Sequence, residues 1–448
     1  MRTWSNKEYY KRNLLLATPI MLSSFGQNCV QMVDTLMVAR LGTTELAAIS
    51  FASALTSNIL MIIMGISMGL TPLVGQNYAK KANKNLSLLL ENSLLLNIII
   101  AIGLVTLVFI LMPLLSHIGE PADVIEVAKP YLVIVILSFL PLSVFITFKQ
   151  WLEGMDNTAA AMIITLSTNL LNILLNYVFI FGAWGLPAMG VFGAGLSTFI
   201  ARLISAIAFI IYVLVKKKYN IYLKAFSLSG IAKHMQARLL RIGLPIAGQM
   251  FIEMFALFGI TIMMGWISKV HMAAFQIVNT MISTTFLTAS GVCAATTVLI
   301  SHAWGMEQRE EIRTNYFCGW KMVLIMMSTF AIIFITLGKY VAMLFTSDVA
   351  VIEVAAQLFI VAGIFQIFDG TQISGLSALR GINDVAKPMG YAVISYGLVA
   401  VPMAYVCGFV LNLGAQSILA GFMLGLITAG ILYHTRFHRA LQRHFDRK

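Results

Sequence analysis

Three of the 18 acidic residues, Asp34, Glu253 and Asp369, stand within long apolar runs; the other fifteen fall between the runs or near their ends. A charge in hydrocarbon is costly enough that such a residue is a functional candidate by default. Glu253 lies 12 residues after Arg241 and 16 before Lys269, and Asp369 lies 16 after Glu353 and 11 before Arg380. At about 1.5 Å per helical residue, both sit ~17 Å from the flank that carries the arginine. Two neighbouring carboxylates at one depth cannot both ionise cheaply unless a cation shares them. Either one keeps a proton or a Na+ bridges the pair. Both outcomes make a cation-coupling site, and the residue types do not choose between Na+ and H+. The plainer alternative is a pair of hydrogen bonds that holds two helices together.

Asp34 stands 6 residues before Arg40, so it could reach the interface or pair with that arginine. With Gln27 and Gln31 it forms a polar stripe at spacings of 4, 3 and 7, which is one face of a helix. Asn169, Asn172 and Asn176 repeat the pattern, and these amides either glue helices together or line the same cavity as Asp34. Gln276 and Asn279 stand out in a run whose other polar residues are Ser and Thr, common packing residues in membrane helices. The expected set for protonation or substrate binding is therefore Asp34, Gln27, Asn172, Asn176, Gln276 and Asn279. Arg202, the one basic residue inside a run, faces the interior or pairs with a carboxylate. Met64, Met68, Met250 and Met254 would suit an adaptable apolar pocket, although lipid-facing methionine explains them as well.

The elements that must hold these groups follow from composition. Of 448 residues, 59% are hydrophobic and 11% charged, with a mean hydropathy of +0.88. A soluble domain carries about 25% charged residues, so the solvent of this chain is lipid. A span needs ~20 mostly apolar residues. Twelve are predicted, at 14–38, 46–74, 93–113, 130–149, 160–182, 192–215, 242–266, 272–300, 318–345, 354–378, 387–410 and 415–435. Residues 388–435 hold no Asp, Glu, Lys or Arg, and Gly408 with the turn Asn412-Leu-Gly414 divides them. With the N-terminus inside, 25 of the 30 Lys and Arg residues fall in the tails and inner loops, against four (Arg40, Lys129, Lys269, Lys339) in the outer loops. Both termini are thus expected to be cytoplasmic. The same distribution accounts for the net charge of +12 without nucleic acid. Cys29, Cys293, Cys318 and Cys407 are scattered and suggest neither a structural metal nor a disulfide frame. The polar first twelve residues and the long apolar run after them do not form a cleavable signal.

The runs repeat. At an offset of 226, Pro19 meets Pro245, Gly65 meets Gly291, and Thr71-Pro-Leu-Val-Gly-Gln-Asn-Tyr78 meets Thr297-Val-Leu-Ile-Ser-His-Ala-Trp304. At 227, Leu152-Glu-Gly-Met-Asp-Asn157 meets Leu379-Arg-Gly-Ile-Asn-Asp384. Six spans is an even number, so the two halves enter the membrane from the same side. The expected architecture is an all-α integral membrane protein of twelve transmembrane helices in two parallel six-helix repeats. Residues 1–215 form an N-lobe, 216–241 a cytoplasmic linker and 242–448 a C-lobe. Such halves belong to transporters that rock about a site between them. The charge is asymmetric: the mates of Glu253, Asp369 and Asp34 are Gln27, Leu142 and Ile260.

Gln31-Met-Val-Asp-Thr-Leu-Met-Val-Ala-Arg-Leu-Gly42, Thr71–Tyr78, Gly154-Met-Asp-Asn157, Asn172-Ile-Leu-Leu-Asn-Tyr-Val-Phe-Ile-Phe-Gly182 and Leu379-Arg-Gly381, in that order, resemble the multidrug and toxic compound extrusion (MATE) family. The resemblance covers nearly the whole chain. It implies a transporter, not an enzyme, that exports cationic amphiphilic drugs or dyes in exchange for Na+ or H+. It also implies no cofactor beyond that ion, a monomer, and a place in the bacterial plasma (inner) membrane. Glu253 and Asp369 resemble the C-lobe cation site of the NorM-like branch, and Asp34 matches the N-lobe acid tied to protonation and substrate release. Asn176 stands where the DinF-like branch tends to have Asp, and Phe365 where some Na+-coupled members have Tyr. The competing readings are a lipid-linked oligosaccharide flippase, a channel, a receptor and an intramembrane enzyme. A flippase would want basic residues in its cavity, whereas the spans hold three acids against Arg202. The spans carry no HExxH or GxSxG motif for an enzyme.

Overall fold

A computed structural model describes residues 6–117, 121–223 and 232–446. Twelve long helices run through them. They are α1 (Asn6–Ala39), α2 (Thr43–Ala79), α3 (Asn83–Leu115), α4 (Ala122–Gly154), α5 (Thr158–Phe181) and α6 (Gly190–Val215). The second set is α7 (Lys233–Ile267), α8 (Lys269–Gly305), α9 (Arg309–Met343), α10 (Val349–Gly381), α11 (Ala386–Val410) and α12 (Ala415–Phe445). Eleven of them, α2–α12, are long and apolar enough to cross a membrane. α1 has 34 residues, but Asn13, Gln27, Asn28, Gln31 and Asp34 dilute its apolar character. Their surfaces present Ile110, Leu170, Phe255, Ile325 and Leu398 outward, as helices solvated by lipid do.

Several helices are interrupted where the sequence removes a backbone bond or a side chain. α11 is π-helical over Val393–Ala400 and Val406–Val410, flanking a short turn that starts with Val401 and Pro402. Proline offers no N–H to the preceding turn, and π-bulges are a common result of such a defect. Gly408 does not break the helix as expected: a Cβ there would stand 2.4 Å from Ile418, so it is a packing glycine. The break comes only at Asn412 (φ 51) and Gly414 (φ 82), left-handed positions of the kind that glycine and asparagine tolerate.

The chain separates into two compact units, residues 22–247 and residues 1–21 with 248–448. The changeovers fall inside α1 and α7, 226 residues apart and two residues after Pro19 and Pro245. Each first helix therefore begins in one unit and ends in the other, and the units differ from the lobes expected from loop positions by these helical starts. The same crossing stabilises both. In the first unit, a Cβ on Gly65 of α2 would lie 2.5 Å from the Ala247 Cα of α7. In the second, a Cβ on Gly291 of α8 would lie 2.4 Å from Met21 Cγ of α1. Gly65 and Gly291 are repeat mates, as are Met21 and Ala247. Small residues that let backbones touch are the usual glue of membrane helices.

The basic stretch 216–241 is less solvated than its composition suggests. Lys217–Tyr219 and Asn220–Leu223 are helical turns, and Tyr219 and Tyr222 are buried against Trp151 with ring centroids 5.7 Å away in each case. Asn157 donates to the Tyr219 hydroxyl at 2.5 Å, and burial pushes that phenol up to about 12, so it stays neutral. Residues 224–231 lie outside the described segments, and Lys233–Arg241 are the opening turns of α7.

Replacing Gly65 by Ala forces α2 and α7 apart and should cost about 1–3 kcal/mol. It should appear as a lowered apparent Tm in detergent. Gly103→Ala, at a site with open space around the new Cβ, should leave Tm unchanged.

Candidate functional site

Each unit gathers its own polar cluster within the helices. In residues 22–247, Asn176 of α5 donates a hydrogen bond to Asp34 of α1 and a second, at 3.3 Å, to the side-chain oxygen of Asn172. Asn172 and Asn176 are buried, while Asp34 and Gln27 are half-buried. The Asn176 bond ties α5 to α1 at the acid. Asp34 does not pair with Arg40, which is exposed at the end of the helix. Its counter-charge is Arg202, which interacts electrostatically with both Asp34 and Tyr131. Arg202 lies over the Phe139 ring at 5.7 Å and donates from Nη1 to Ser138 Oγ at 2.6 Å, at the point where α4 kinks. Tyr131 in turn is bonded to Ser53 of α2. Gln27 lies two turns below Asp34 and takes no part in this chain of bonds.

In the second unit, Glu253 of α7 and Asp369 of α10 are brought within electrostatic reach of one another. Asp369 is only 3% exposed. Tyr396, fully buried in the π-helical stretch of α11, donates its hydroxyl to Glu253 Oε1 at 3.2 Å. Gln249, one turn before Glu253, donates from Nε2 to Oε2 at 3.4 Å. Arg380 donates from Nη2 to the Gln249 Oε1 at 2.8 Å. Phe365 stacks on Phe422 at 6.0 Å, one turn from Asp369. Gln366 donates to Thr285 Oγ1 at 2.7 Å and keeps a buried Oε1 with no hydrogen-bond partner among the described residues. Such a cluster offers hard oxygen donors: two carboxylates, an amide carbonyl and a phenol. Gln276 is exposed and Asn279 half-buried on α8, away from the bonds that join this cluster.

Three contributors escaped the sequence reading. Arg380 reads as an inner-loop charge because it closes α10, yet its side chain turns back into the cluster. Tyr396 lies in a long run without Asp, Glu, Lys or Arg, with no periodic signal to single it out. Gln249 alone was accessible, since it precedes Glu253 by four residues on one helical face. His434, on α12, has both ring nitrogens engaged, by Tyr316 and by the Thr371 carbonyl, and serves packing.

The family model MatE matches the chain twice, at residues 19–178 and 245–406, and the matches begin at the two repeat prolines. Multidrug resistance protein NorM of Vibrio vulnificus (strain YJ016) is 27% identical over 430 residues, covering 94% of each chain. A probable multidrug resistance protein NorM of Bacillus subtilis (strain 168) is 26% identical over 452 residues, covering 100% of this chain and 99% of the other. A crystal structure of a MATE transporter in a bent conformation superposes with a TM-score of 0.88 at 18% identity, covering 99% of this chain and 98% of that one. The duplicated match spans most of the sequence, and the chain belongs to the MatE family of membrane transporters.

Proposed function

We propose that this transporter expels cationic amphiphilic compounds in exchange for Na+ or H+ by alternating access, with the ion taken up at Glu253 and Asp369. The observation that carries this reading is that those two acids, on α7 and α10, stand within electrostatic reach of one another inside helices whose outer faces suit lipid. A cation and a cationic drug would each relieve the same excess negative charge, so each disfavours the other, and that reciprocity is what exchange requires. Asp34, held by Asn176 and balanced by Arg202, is the proton- or substrate-responsive group of the other unit. In this reading the lobes 1–215 and 242–448, joined by the linker 216–241, are the moving halves. The protein works as a monomer in the bacterial inner membrane with both termini cytoplasmic. The names of the NorM relatives agree with drug export. The excess of acids over arginine in the second unit argues against an anionic lipid-linked substrate.

The double variant Glu253→Gln with Asp369→Asn should reduce ethidium or norfloxacin export from cells to the level of cells lacking the protein, with membrane abundance unchanged on immunoblots. Unimpaired export would refute the assignment. Everted vesicles given first a Na+ gradient and then a pH gradient should load dye with one of the two, and loading with neither would remove the antiport reading. Alkaline phosphatase fused after Lys448 should be inactive, as a cytoplasmic C-terminus requires.

A further inference from the structure

The proposed cation site contains a cation of its own. Asp369 and Arg380 are eleven residues apart on α10, three turns of 3.6 residues, and so share one face. Gln249 and Glu253 are one turn apart on α7. The guanidinium of Arg380 donates to Gln249 Oε1 at 2.8 Å, and Gln249 Nε2 donates to Glu253 Oε2 at 3.4 Å. This amide can be oriented in only one way. Turned over, it would set its NH2 against a guanidinium, which cannot accept, and its oxygen against a carboxylate, which cannot donate. Gln249 is 2% exposed, so water does not offer it an alternative. Arg380 forms no ion pair among the described residues, and its Nε has no hydrogen-bond partner there. Its charge interacts with Glu253 across the amide.

The hydrogen bonds are distributed unevenly. Glu253 receives Tyr396 on one oxygen and Gln249 on the other, whereas Asp369 receives no hydrogen bond among the described residues. The other titratable groups facing the cluster are Tyr396, Tyr433 and the Cys293 thiol. With the phenols and the thiol neutral, two carboxylates and one guanidinium leave a single uncompensated negative charge.

We infer that Arg380, acting through Gln249, is a built-in counter-cation that satisfies Glu253 and limits the site to one monovalent cation, which sits at Asp369. This rests on the cation-coupled reading above and adds to it a stoichiometry and a position. Arg380 is a positioning residue: it sets how many charges the site accepts without itself meeting the cargo. If the site carries one negative charge, either one cation or one monovalent drug neutralises it. Exchange of the two then moves no net charge across the membrane.

The test uses the full-length protein in proteoliposomes with a fixed Na+ or pH gradient, ethidium as a monovalent probe, and a valinomycin-clamped K+ potential. One uncompensated charge per cycle would shift the steady-state ethidium ratio about 50-fold for a potential of roughly 100 mV. The wild type should show no such shift. Arg380→Gln, which frees a second negative charge, should become potential-dependent in that range, and Arg380→Lys should restore the wild-type behaviour. Gln249→Leu, which keeps the arginine's charge and cuts only the relay, should stay potential-independent, and a potential response there would overturn the charge count. A wild type that already responds to potential overturns the charge count even if every variant fails to fold. An Arg380→Gln protein that transports without responding to potential overturns the arginine's role. Absence of ethidium movement under either gradient in the wild type overturns the antiport reading itself, a different outcome from electrogenic transport.

Discussion

A charge held among helices in hydrocarbon has no water to solvate it, so the protein must bring its counter-charge. That requirement organises both halves of this molecule. In one unit Asp34 is opposed by Arg202, and in the other Glu253 is opposed by Arg380 through Gln249. Asp369 lies within electrostatic reach of Glu253 but has no donor of its own among the described residues. The imbalance is local and lies in the second unit. In the proposed function, this imbalance is what would draw a positive charge, whether from an ion or from a cationic cargo.

The same lack of water governs how the helices meet. Backbone groups in lipid must be satisfied within each helix, so helices associate through close packing and a few side-chain bonds. Gly65 against Ala247 and Gly291 against Met21 form one crossing used twice, at positions that the duplication relates. The duplication preserved this crossing and discarded chemical symmetry elsewhere. The repeat mate of Arg380 is Glu153, which pairs with Lys149 at 3.9 Å, and the mate of Gln249 is Ser23. One ancestral position thus carries opposite charge in the two units. Packing constrains size and tolerates little change, whereas a polar position is free to diverge once its partner in the same unit diverges with it.

The π-helical turns of α11 belong to the second unit's specialisation. Pro402 removes a backbone donor, the helix widens beside it, and Tyr396 in the widened stretch bonds to Glu253. A helix without this defect would present a different residue to α7.

The solvent, the number and order of the helices, the duplication and the three acids that need partners are all legible along the chain. These follow from composition, from apolar run length and from a constant offset, all of which are local or periodic properties of the chain. Counting along each helix also gives Glu253 and Asp369 nearly the same separation from their arginine flanks, 12 and 11 residues. Which helix faces which is not periodic, and only the packing of the folded chain settles it. It set Asn176 against Asp34 in place of Arg40. It left Gln27, Gln276 and Asn279 apart from the bonded clusters. It buried Tyr219 and Tyr222 in a stretch whose lysines suggested a solvated loop. Above all it turned Arg380 inward. An arginine at a helix end reads as a loop charge because its position along the chain says only where its Cα lies. A side chain that long can place its charge a full turn away, and only packing against Gln249 shows in which direction.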